Sequence, residues 1–273
     1  MTKAFTLASW NVEHFKDDPT RVDRVVNFLK LQDPDVFGLY EVEGKEVFTV
    51  LTTKMPTYSF HITEGPETQE ILVGVRNTLT SFVTQKIEFR SGTTHMRPGA
   101  LLTLTIAGKN YTVLFLHVAS GNDPRGMGLR DDMLVRACDF RKVLDKADKA
   151  AGGAGRANYL FVGDLNTMGM RYPFNKSIGA DVELQKLAKE AKRVKMHSLS
   201  KDAPATWSNG SQSSIPPSNL DHVVAADHLA FKAFGTASVN VRGWPKEPTV
   251  AKQDKWIADF SDHGLLFLEV RRV

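Results

Sequence analysis

Apolar runs of strand length recur along this chain of 273 residues, and they constrain its fold more than any other feature. There are eight: "FTLASW", "DVFGLYEV", "EILVGV", "ALLTLTIA", "YTVLFLHV", "NYLFVGDL", "LDHVVA" and "LLFLEV". Several are continuous rather than alternating, which is typical of strands that are covered on both faces. Since 42% of the residues are hydrophobic, the chain can also bury a full core. The runs therefore predict sheets whose two faces are both packed.

Two segments between these runs have a helical pattern. In "DDPTRVDRVVNFLKLQ", Asp18 is placed as an N-cap and Pro19 as the first helical residue, and the apolar stripe is Val22, Val25, Val26 and Leu29. A second helix is predicted from about Leu129 to Ala150, ended by two glycines at 152 and 153. "DVELQKLAKEAKRVK" is a shorter, basic candidate. Helices outside packed sheets indicate one α/β domain over residues 1–273.

Composition excludes some classes of protein and leaves others open. The single cysteine, Cys138, excludes an internal disulfide and a cysteine-based metal cluster, and its helical surroundings favour a buried side chain. No secretory signal or membrane span is recognisable, so a cytoplasmic protein is expected. The net charge of +4 and pI near 9.0 fit either attraction to a polyanion or ordinary surface variation. Net charge alone does not choose between these two.

Acids, amides and histidines occur where the apolar runs begin or end. They are Asn11, Glu13, Glu41, His117, Asp164, Asn166, Asp221, Asp262 and His263. Taken singly, each has an ordinary explanation, because a strand-terminal Asp or Asn is usually a turn former and a histidine in an apolar run is usually a core residue. As a set at the rim of a sheet, they are what a pocket there would contain. Carboxylate and amide oxygens without cysteine suit a hard cation, Mg²⁺ or Mn²⁺.

The order of these residues resembles the endonuclease/exonuclease/phosphatase superfamily, which includes DNase I-like nucleases, exonuclease III-like repair enzymes, sphingomyelinases and inositol polyphosphate 5-phosphatases. The matching stretches are "SWNVE", "GLYEVEG", "FLHVASG", "VGDLNT", "TWSN" followed by "NLDHVV", and "SDHGLL". They extend from residue 9 to residue 264. The resemblance implies a DNase I-like fold, which is a four-layer α/β/β/α sandwich of two packed mixed β-sheets flanked by helices. It also implies hydrolysis of phosphate esters.

The resemblance implies a metal set and a set of catalytic residues. Glu41 matches the principal ligand of a divalent cation, Mg²⁺ or Mn²⁺, and Asn11, Glu13 and Asp262 lie close to the metal or its waters. The catalytic positions are His263, Asp221, Asp164, Asn166 and His117.

Each catalytic position has a role in the family. His263 matches the general base, and an ordinary histidine pKa of about 6.5 suits proton transfer near neutrality. Asp221 matches the carboxylate that orients this base. Asp164 matches the residue that holds the attacking water or serves the leaving group, Asn166 hydrogen-bonds the phosphate, and His117 donates to a phosphate oxygen.

The substrate is expected to be a nucleic acid. Arg97 stands where DNase I-like relatives often place an arginine that contacts phosphate, and Trp207 and Asn166 complete the expected substrate-binding residues. The basic pI agrees with a nuclease that contacts the phosphate backbone, and a monomer is plausible. A small-molecule or lipid phosphoesterase, similar to an inositol phosphatase or a sphingomyelinase, is the alternative on the same fold. A catalytically silent binding protein is disfavoured, since the key residues are all present.

Two features depart from the family pattern. Gly264 and Leu265 follow the Asp-His pair, where relatives often have a proline two residues after the histidine. In addition, "VRGWPKEPTVAKQDKW" lengthens the segment between Asp221 and Asp262. The tryptophans of this excursion, Trp244 and Trp256, either stack on bases or belong to a packed surface segment, and the sequence leaves both interpretations open.

Overall fold

The computed structural model of the protein describes residues 2–15, 18–65, 70–90 and 97–273. The chain forms two compact units, one of residues 1–79, 200–219 and 230–273 and one of residues 80–199 and 220–229. Each unit contains one six-stranded mixed sheet and its own helices. In the described ranges no helix is both long and apolar enough to cross a membrane. The expectation of a single domain over 1–273 stays a prediction.

The first unit is built on a sheet with the strand order β11-β12-β1-β2-β4-β3. Its strands are β1 (Lys3–Phe15), β2 (Val36–Val42), β3 (Tyr58–Ile62), β4 (Glu70–Arg76), β11 (Asn240–Arg242) and β12 (Leu265–Arg271). Its helices are α1 (Pro19–Gln32), α2 (Lys45–Lys54) and α5 (Val250–Asp259). β1 runs parallel to β2 and antiparallel to β12, which places the beginning and end of the chain side by side.

Helix α1 forms as the sequence predicts. The Asp18 carboxylate accepts hydrogen bonds from the backbone N–H groups of Thr20 and Arg21 at 3.0 and 3.2 Å, and Pro19 is the first helical residue. The four predicted stripe residues are all buried against β1 and β2. Residues 4–12 of β1 are buried without alternation, so both faces of this strand are covered, as the continuous apolar run predicts.

The second unit is built on a sheet with the strand order β5-β6-β7-β8-β10-β9. Its strands are β5 (Thr80–Lys86), β6 (Gly99–Ile106), β7 (Lys109–His117), β8 (Asn158–Asp164), β9 (Met196–Ser198) and β10 (Asp221–Ala226). Its helices are α3 (Pro124–Ala150) and α4 (Ala180–Arg193). Helix α3 connects the parallel strands β7 and β8, so their carboxyl ends lie at the same edge of the sheet.

The predicted start of α3 at Leu129 is wrong by five residues. Asp123 caps the helix by accepting from the backbone N–H of Gly126 at 2.9 Å, and Pro124 opens it. This is the same Asp-Pro signal that opens α1, but two glycines follow it and weaken the helical pattern. Gly126 is required by packing, because a Cβ there would lie 2.5 Å from the carbonyl oxygen of Gly121.

Candidate active site

Glu41 lies in a doubly irregular part of the first sheet. The pairing of β1 with β2 shifts between Asn11 and Phe15, and the pairing of β2 with β4 shifts between Leu39 and Val42. Glu41 itself has φ +62°, a left-handed conformation that is uncommon for a residue other than glycine. Bulges of this kind re-aim a side chain and often lie beside active sites. The irregularity, rather than a plain strand end, therefore sets the direction of this carboxylate.

The four predicted metal-site residues come together within the first unit. The Asn11 amide donates from Nδ2 to Glu41 Oε1 at 3.0 Å, and its Oδ1 accepts from the backbone N–H of Glu13 at 2.9 Å. The second Glu41 oxygen, Oε2, accepts from the backbone N–H of His14 at 3.0 Å. Glu13 Oε2 in turn accepts from the backbone N–H of Asp262 at 3.2 Å. Three carboxylates and one amide thus form a connected polar cluster.

The charge balance of this cluster fits a divalent cation. Burial raises the pKa of Glu13, and the neighbouring carboxylates Asp262 and Glu41 raise it further, whereas Arg21 lowers it. The Arg21 guanidinium lies 4.0 Å from Glu13 and also donates to the carbonyl oxygens of Val12 and Phe260, both at 2.6 Å. Crowded carboxylates with hard oxygen donors are what Mg²⁺ and Mn²⁺ bind. The residues present therefore fit the cation that the sequence predicts.

The Asp262-His263 pair is held rigidly in the first unit. Trp207 donates from its indole Nε1 to Asp262 Oδ2 at 2.6 Å, and the Trp10 indole donates to the carbonyl oxygen of His263 at 2.9 Å. Ser261 Oγ donates to the carbonyl oxygen of Asn11 at 2.7 Å and accepts from the backbone N–H of His263 at 3.0 Å. The histidine side chain is 5% exposed, so its orientation is set by packing.

Trp207 is thus a support for Asp262, and a contact with substrate stays a prediction. Sequence reasoning assigns no role to Trp10 or Ser261. Both lie within the motif blocks "SWNVE" and "SDHGLL". In these blocks the chemistry is assigned to the neighbouring acid, amide or histidine, so nothing in the sequence marks Trp10 or Ser261 as a supporting residue.

In the second unit, three predicted residues form a row across neighbouring strands. His117 at the end of β7 pairs in register with Asp164 at the end of β8, and Asp164 pairs with Asp221 at the start of β10. His117 Nε2 lies 3.6 Å from Asp164 Oδ2, and the carboxylates of Asp164 and Asp221 approach within 4.8 Å. All three side chains are buried. Since buried charges require a partner, this row is built for chemistry or for a strong internal contact.

Asn166 lies two residues beyond this row, on the loop that follows β8. Its φ is +46°, and asparagine tolerates this region better than most residues. Its backbone N–H donates to Asp164 Oδ1 at 3.1 Å, and its side-chain amide donates to the carbonyl oxygen of Val118 at 3.2 Å. The amide is therefore fixed beside the aspartate. Arg97 lies two residues before β6 and is partly exposed, and its predicted contact with phosphate stays a prediction.

The other two Asp-His pairs have structural partners. His222 bonds to Thr167 Oγ1 through Nε2 at 2.8 Å, so it packs beside Asp221 and fixes the loop after β8. Asp227 and His228 lie in the turn after β10, where Asp227 contacts His197 at 3.0 Å and His228 contacts Asn158 at 3.0 Å. His222, Asp227 and His228 therefore have structural roles.

The base-stacking interpretation of the excursion tryptophans is wrong. Trp256, on α5, is 7% exposed and lies with Trp10 in the core of the first unit, with ring centroids 5.9 Å apart. Trp244 is 6% exposed in the same core. The segment between Asp221 and Asp262 supplies strand β11 and helix α5, so it is a packed part of the first unit.

A buried ion pair behind the second unit's loops is not predicted by the sequence. Arg130 on α3 is fully buried and pairs with Glu183 on α4 at 2.8 Å. The guanidinium also donates to the carbonyl oxygens of Gly121 at 2.5 Å and Gly169 at 2.8 Å, and Glu183 accepts from the backbone N–H of Gly169 at 2.8 Å. The pair thus ties the loop after β7 to the loop after β8. In the sequence, Glu183 looks like an ordinary charge of an amphipathic helix. Arg130, in "RGMGLR", looks like a cation that favours a nucleic-acid substrate, and its complete burial shows that interpretation to be wrong.

Comparison with solved structures identifies the fold. Truncated TDP2 of Caenorhabditis elegans is 16% identical, with 98% of this chain and 97% of that chain covered and a TM-score of 0.65. D. rerio TDP2 complexed with a single-strand DNA product is 17% identical, with 98% of each chain covered and a TM-score of 0.62. A Bacteroides thetaiotaomicron mannosyl-6-phosphatase is 14% identical, with 98% and 99% covered and a TM-score of 0.59. Two mixed sheets with flanking helices, the DNase I-like fold that the sequence predicts, are confirmed.

Comparison of sequences identifies the family. Curated proteins give no significant match. A family model described as the endonuclease/exonuclease/phosphatase family matches residues 8–263, which is nearly the whole chain and includes every predicted catalytic and metal-site residue. The chain therefore belongs to the endonuclease/exonuclease/phosphatase family, a family of phosphoester hydrolases.

Proposed function

We propose that this protein is a divalent-metal-dependent phosphodiesterase whose substrate is a nucleic acid. The observation that carries the proposal is the buried, in-register row of His117, Asp164 and Asp221 at one edge of the second sheet. Burying a row of titratable groups in a sheet costs free energy. Such a row is therefore expected where the groups take part in binding or catalysis. Because the chain belongs to a family of phosphoester hydrolases, the reaction proposed for these residues is the hydrolysis of a phosphate ester.

Each set of residues has a distinct task in this reaction. Glu41, with Asn11, Glu13 and Asp262, would hold Mg²⁺ or Mn²⁺, and the bound cation would polarise the phosphoryl group and neutralise the departing oxygen. His263 takes the proton of the attacking water, and Asp221 acts as the orienting carboxylate.

The remaining residues act on the phosphate and the water. His117 donates from its imidazole to a phosphate oxygen, and Asp164 holds the water or serves the leaving group. The Asn166 side-chain amide, which the Val118 carbonyl oxygen already orients, hydrogen-bonds the phosphate. Fixed donors of this kind are effective because they need no reorganisation during the reaction.

A nucleic acid is favoured as the substrate by two observations. The chain carries a net charge of +4, which attracts a polyanion. One protein of similar fold, D. rerio TDP2, has been crystallised with a single-strand DNA product. The second candidate is a small phosphate ester, and it is favoured by the similar fold of a mannosyl-6-phosphatase. The same catalytic residues serve both candidates, so the substrate has to be measured.

Hydrolysis by the purified protein tests the proposal. Single-stranded DNA, plasmid DNA, RNA, sugar phosphates and inositol phosphates are incubated with Mg²⁺ or Mn²⁺ and, in parallel, with EDTA. We expect metal-dependent cleavage of nucleic acid, abolished by Glu41→Ala and by His263→Ala. His228→Ala is the matched control, because it removes the histidine of another Asp-His pair that lies in a turn. Activity on sugar or inositol phosphates alone would show that the substrate is a small phosphate ester and not a nucleic acid. Normal turnover in His263→Ala would refute the mechanism.

A further inference from the structure

An exposed aromatic loop follows the catalytic row of the second unit. Phe174 is 87% exposed, the largest exposure among the big apolar side chains of the described residues, and Tyr172 is 38% exposed. Their rings pack edge to face, with centroids 5.9 Å apart and an interplanar angle of 80°. Single exposed apolar side chains are common, but two aromatic rings presented together on one short loop are not.

The loop is firmly anchored at its base. Met170 and Ile178 exchange backbone hydrogen bonds at 2.8 and 2.9 Å, which closes a neck around residues 171–177. The backbone N–H of Arg171 donates to the carbonyl oxygen of Asn122 at 2.6 Å, on the loop after β7. Just before the neck, Gly169 is held through both its N–H and its carbonyl by the Glu183–Arg130 pair. The rings are therefore presented on a fixed support.

The charge of the loop complements an anionic ligand. Residues 165–180 include Arg171 and Lys176 and no Asp or Glu. Both cations lie in the exposed stretch 171–177, on either side of the two rings. Aromatic rings combined with nearby cations are an arrangement that proteins use to bind single-stranded nucleic acid, in which the bases stack on the rings and the phosphates meet the cations.

The position along the chain ties the loop to the catalytic row. Phe174 follows Asn166 by eight residues, and both lie on the single connection between β8 and α4. A strand whose phosphate is held by Asn166 therefore needs to extend by only a few nucleotides to reach the rings.

We propose that Tyr172 and Phe174, with Arg171 and Lys176, form a subsite on which bases of a single-stranded nucleic acid stack beside the scissile phosphate. This inference rests on the proposed function and narrows its substrate to strands with unpaired bases. The subsite contributes to binding alone: the Tyr172 hydroxyl is assigned no part in hydrolysis, and stacking uses the faces of the two rings. Their removal should accordingly raise KM and leave kcat unchanged, which is the pattern expected when uniform binding is lost.

Binding is measured first, because it does not depend on turnover. A fluorescent oligothymidylate is titrated in EDTA, and its anisotropy gives the Kd. We expect Phe174→Ala and Tyr172→Ala each to weaken binding roughly 5- to 150-fold, the range for the loss of one stacked base. Phe82→Ala is the matched control, since Phe82 is 70% exposed on β5 at the far edge of the same sheet. In the double variant Arg171→Ala with Lys176→Ala, the negative slope of log K against log salt concentration should become less steep by about 1.4.

The outcomes separate this inference from the proposed function. Loss of binding in both ring variants, but not in Phe82→Ala, supports the subsite even if no oligonucleotide is hydrolysed, in which case the proposed function alone fails. Unchanged Kd and KM in both ring variants would overturn the subsite, whether or not the wild type is a nuclease. Binding of the wild type to phosphatidylcholine–phosphatidylserine vesicles through these rings, with no binding to the oligonucleotide, would also overturn it.

Discussion

Removal of the Glu183 carboxylate should be among the most destabilising single changes in the second unit. Glu183 accepts from Arg130 Nε at 2.8 Å and Nη2 at 3.3 Å, and from the backbone N–H of Gly169 at 2.8 Å. In Glu183→Ala the guanidinium keeps its carbonyl partners, but its charge stays fully buried without a counter-ion. Breaking one half of a buried ion pair costs about 3–5 kcal/mol. That is a large part of the ~5–15 kcal/mol by which folded proteins are stable.

The assay is thermal and urea unfolding followed by circular dichroism. For a chain of this length, each kcal/mol shifts Tm by about 2–4 °C, so Glu183→Ala should melt roughly 6–20 °C lower. Asp132→Ala is the matched control, because Asp132 pairs with Arg136 on the same helix at 2.7 Å with both side chains more than 40% exposed. An exposed pair of this kind contributes about 0–1 kcal/mol.

The double change Arg130→Met with Glu183→Leu separates charge burial from packing. If the destabilisation comes from an uncompensated charge, the neutral pair should recover much of the lost stability. The reasoning would be refuted if Glu183→Ala and Asp132→Ala lost the same free energy of unfolding.

Three further outcomes follow from the site and the core. Because the pKa of Glu13 is raised, the folded protein binds this proton more tightly than the unfolded chain, and stability falls as pH rises through the raised pKa. Glu13→Gln should therefore have a higher free energy of unfolding than the wild type at neutral pH in EDTA, and this difference should vanish in acid. Urea unfolding at several pH values measures it, and a difference that does not change with pH would contradict the reasoning. Mg²⁺ should raise the Tm of the wild type by much more than it raises the Tm of Glu41→Ala. Differential scanning fluorimetry measures both shifts, and equal shifts would contradict the role of Glu41 as a ligand. Burial raises the pKa of Cys138 to about 12, so the native thiol should be inert to a disulfide reagent at mild alkaline pH and react only after unfolding; rapid labelling of the folded protein would contradict its burial.

Local rules predict the elements whose signal is contained in a few consecutive residues. Helix α1 is predicted with its cap and its buried stripe, because Asp18, Pro19 and the 3.6-residue period are all legible in the sequence. Strands β3 and β5 escape prediction because they are edge strands with largely exposed side chains, so the apolar pattern is weak. Helix α5 escapes because Trp256 is its one buried residue, and the exposed Lys252 and Lys255 make the segment look like a solvated loop.

The long-range contacts that shape the site are not predictable in this way. The indole of Trp207 meets Asp262 from 55 positions away, and Trp10 meets His263 from 253 positions away. No periodicity encodes such a pair. The resemblance to a family supplies the identity of the acid and the histidine, whereas the supporting side chains emerge only from the fold.

Backbone strain gives an indication of the site that is independent of the resemblance. In the described part of the chain, seven residues other than glycine have positive φ, and Glu13, Glu41 and Asn166 are three of them. His14, which donates its backbone N–H to Glu41, is a fourth. Such conformations cost about 1–3 kcal/mol each and persist where the surroundings hold them, most often at functional sites. Because glycine would relieve this cost, acidic and amide side chains at these positions are best explained by what their oxygens do.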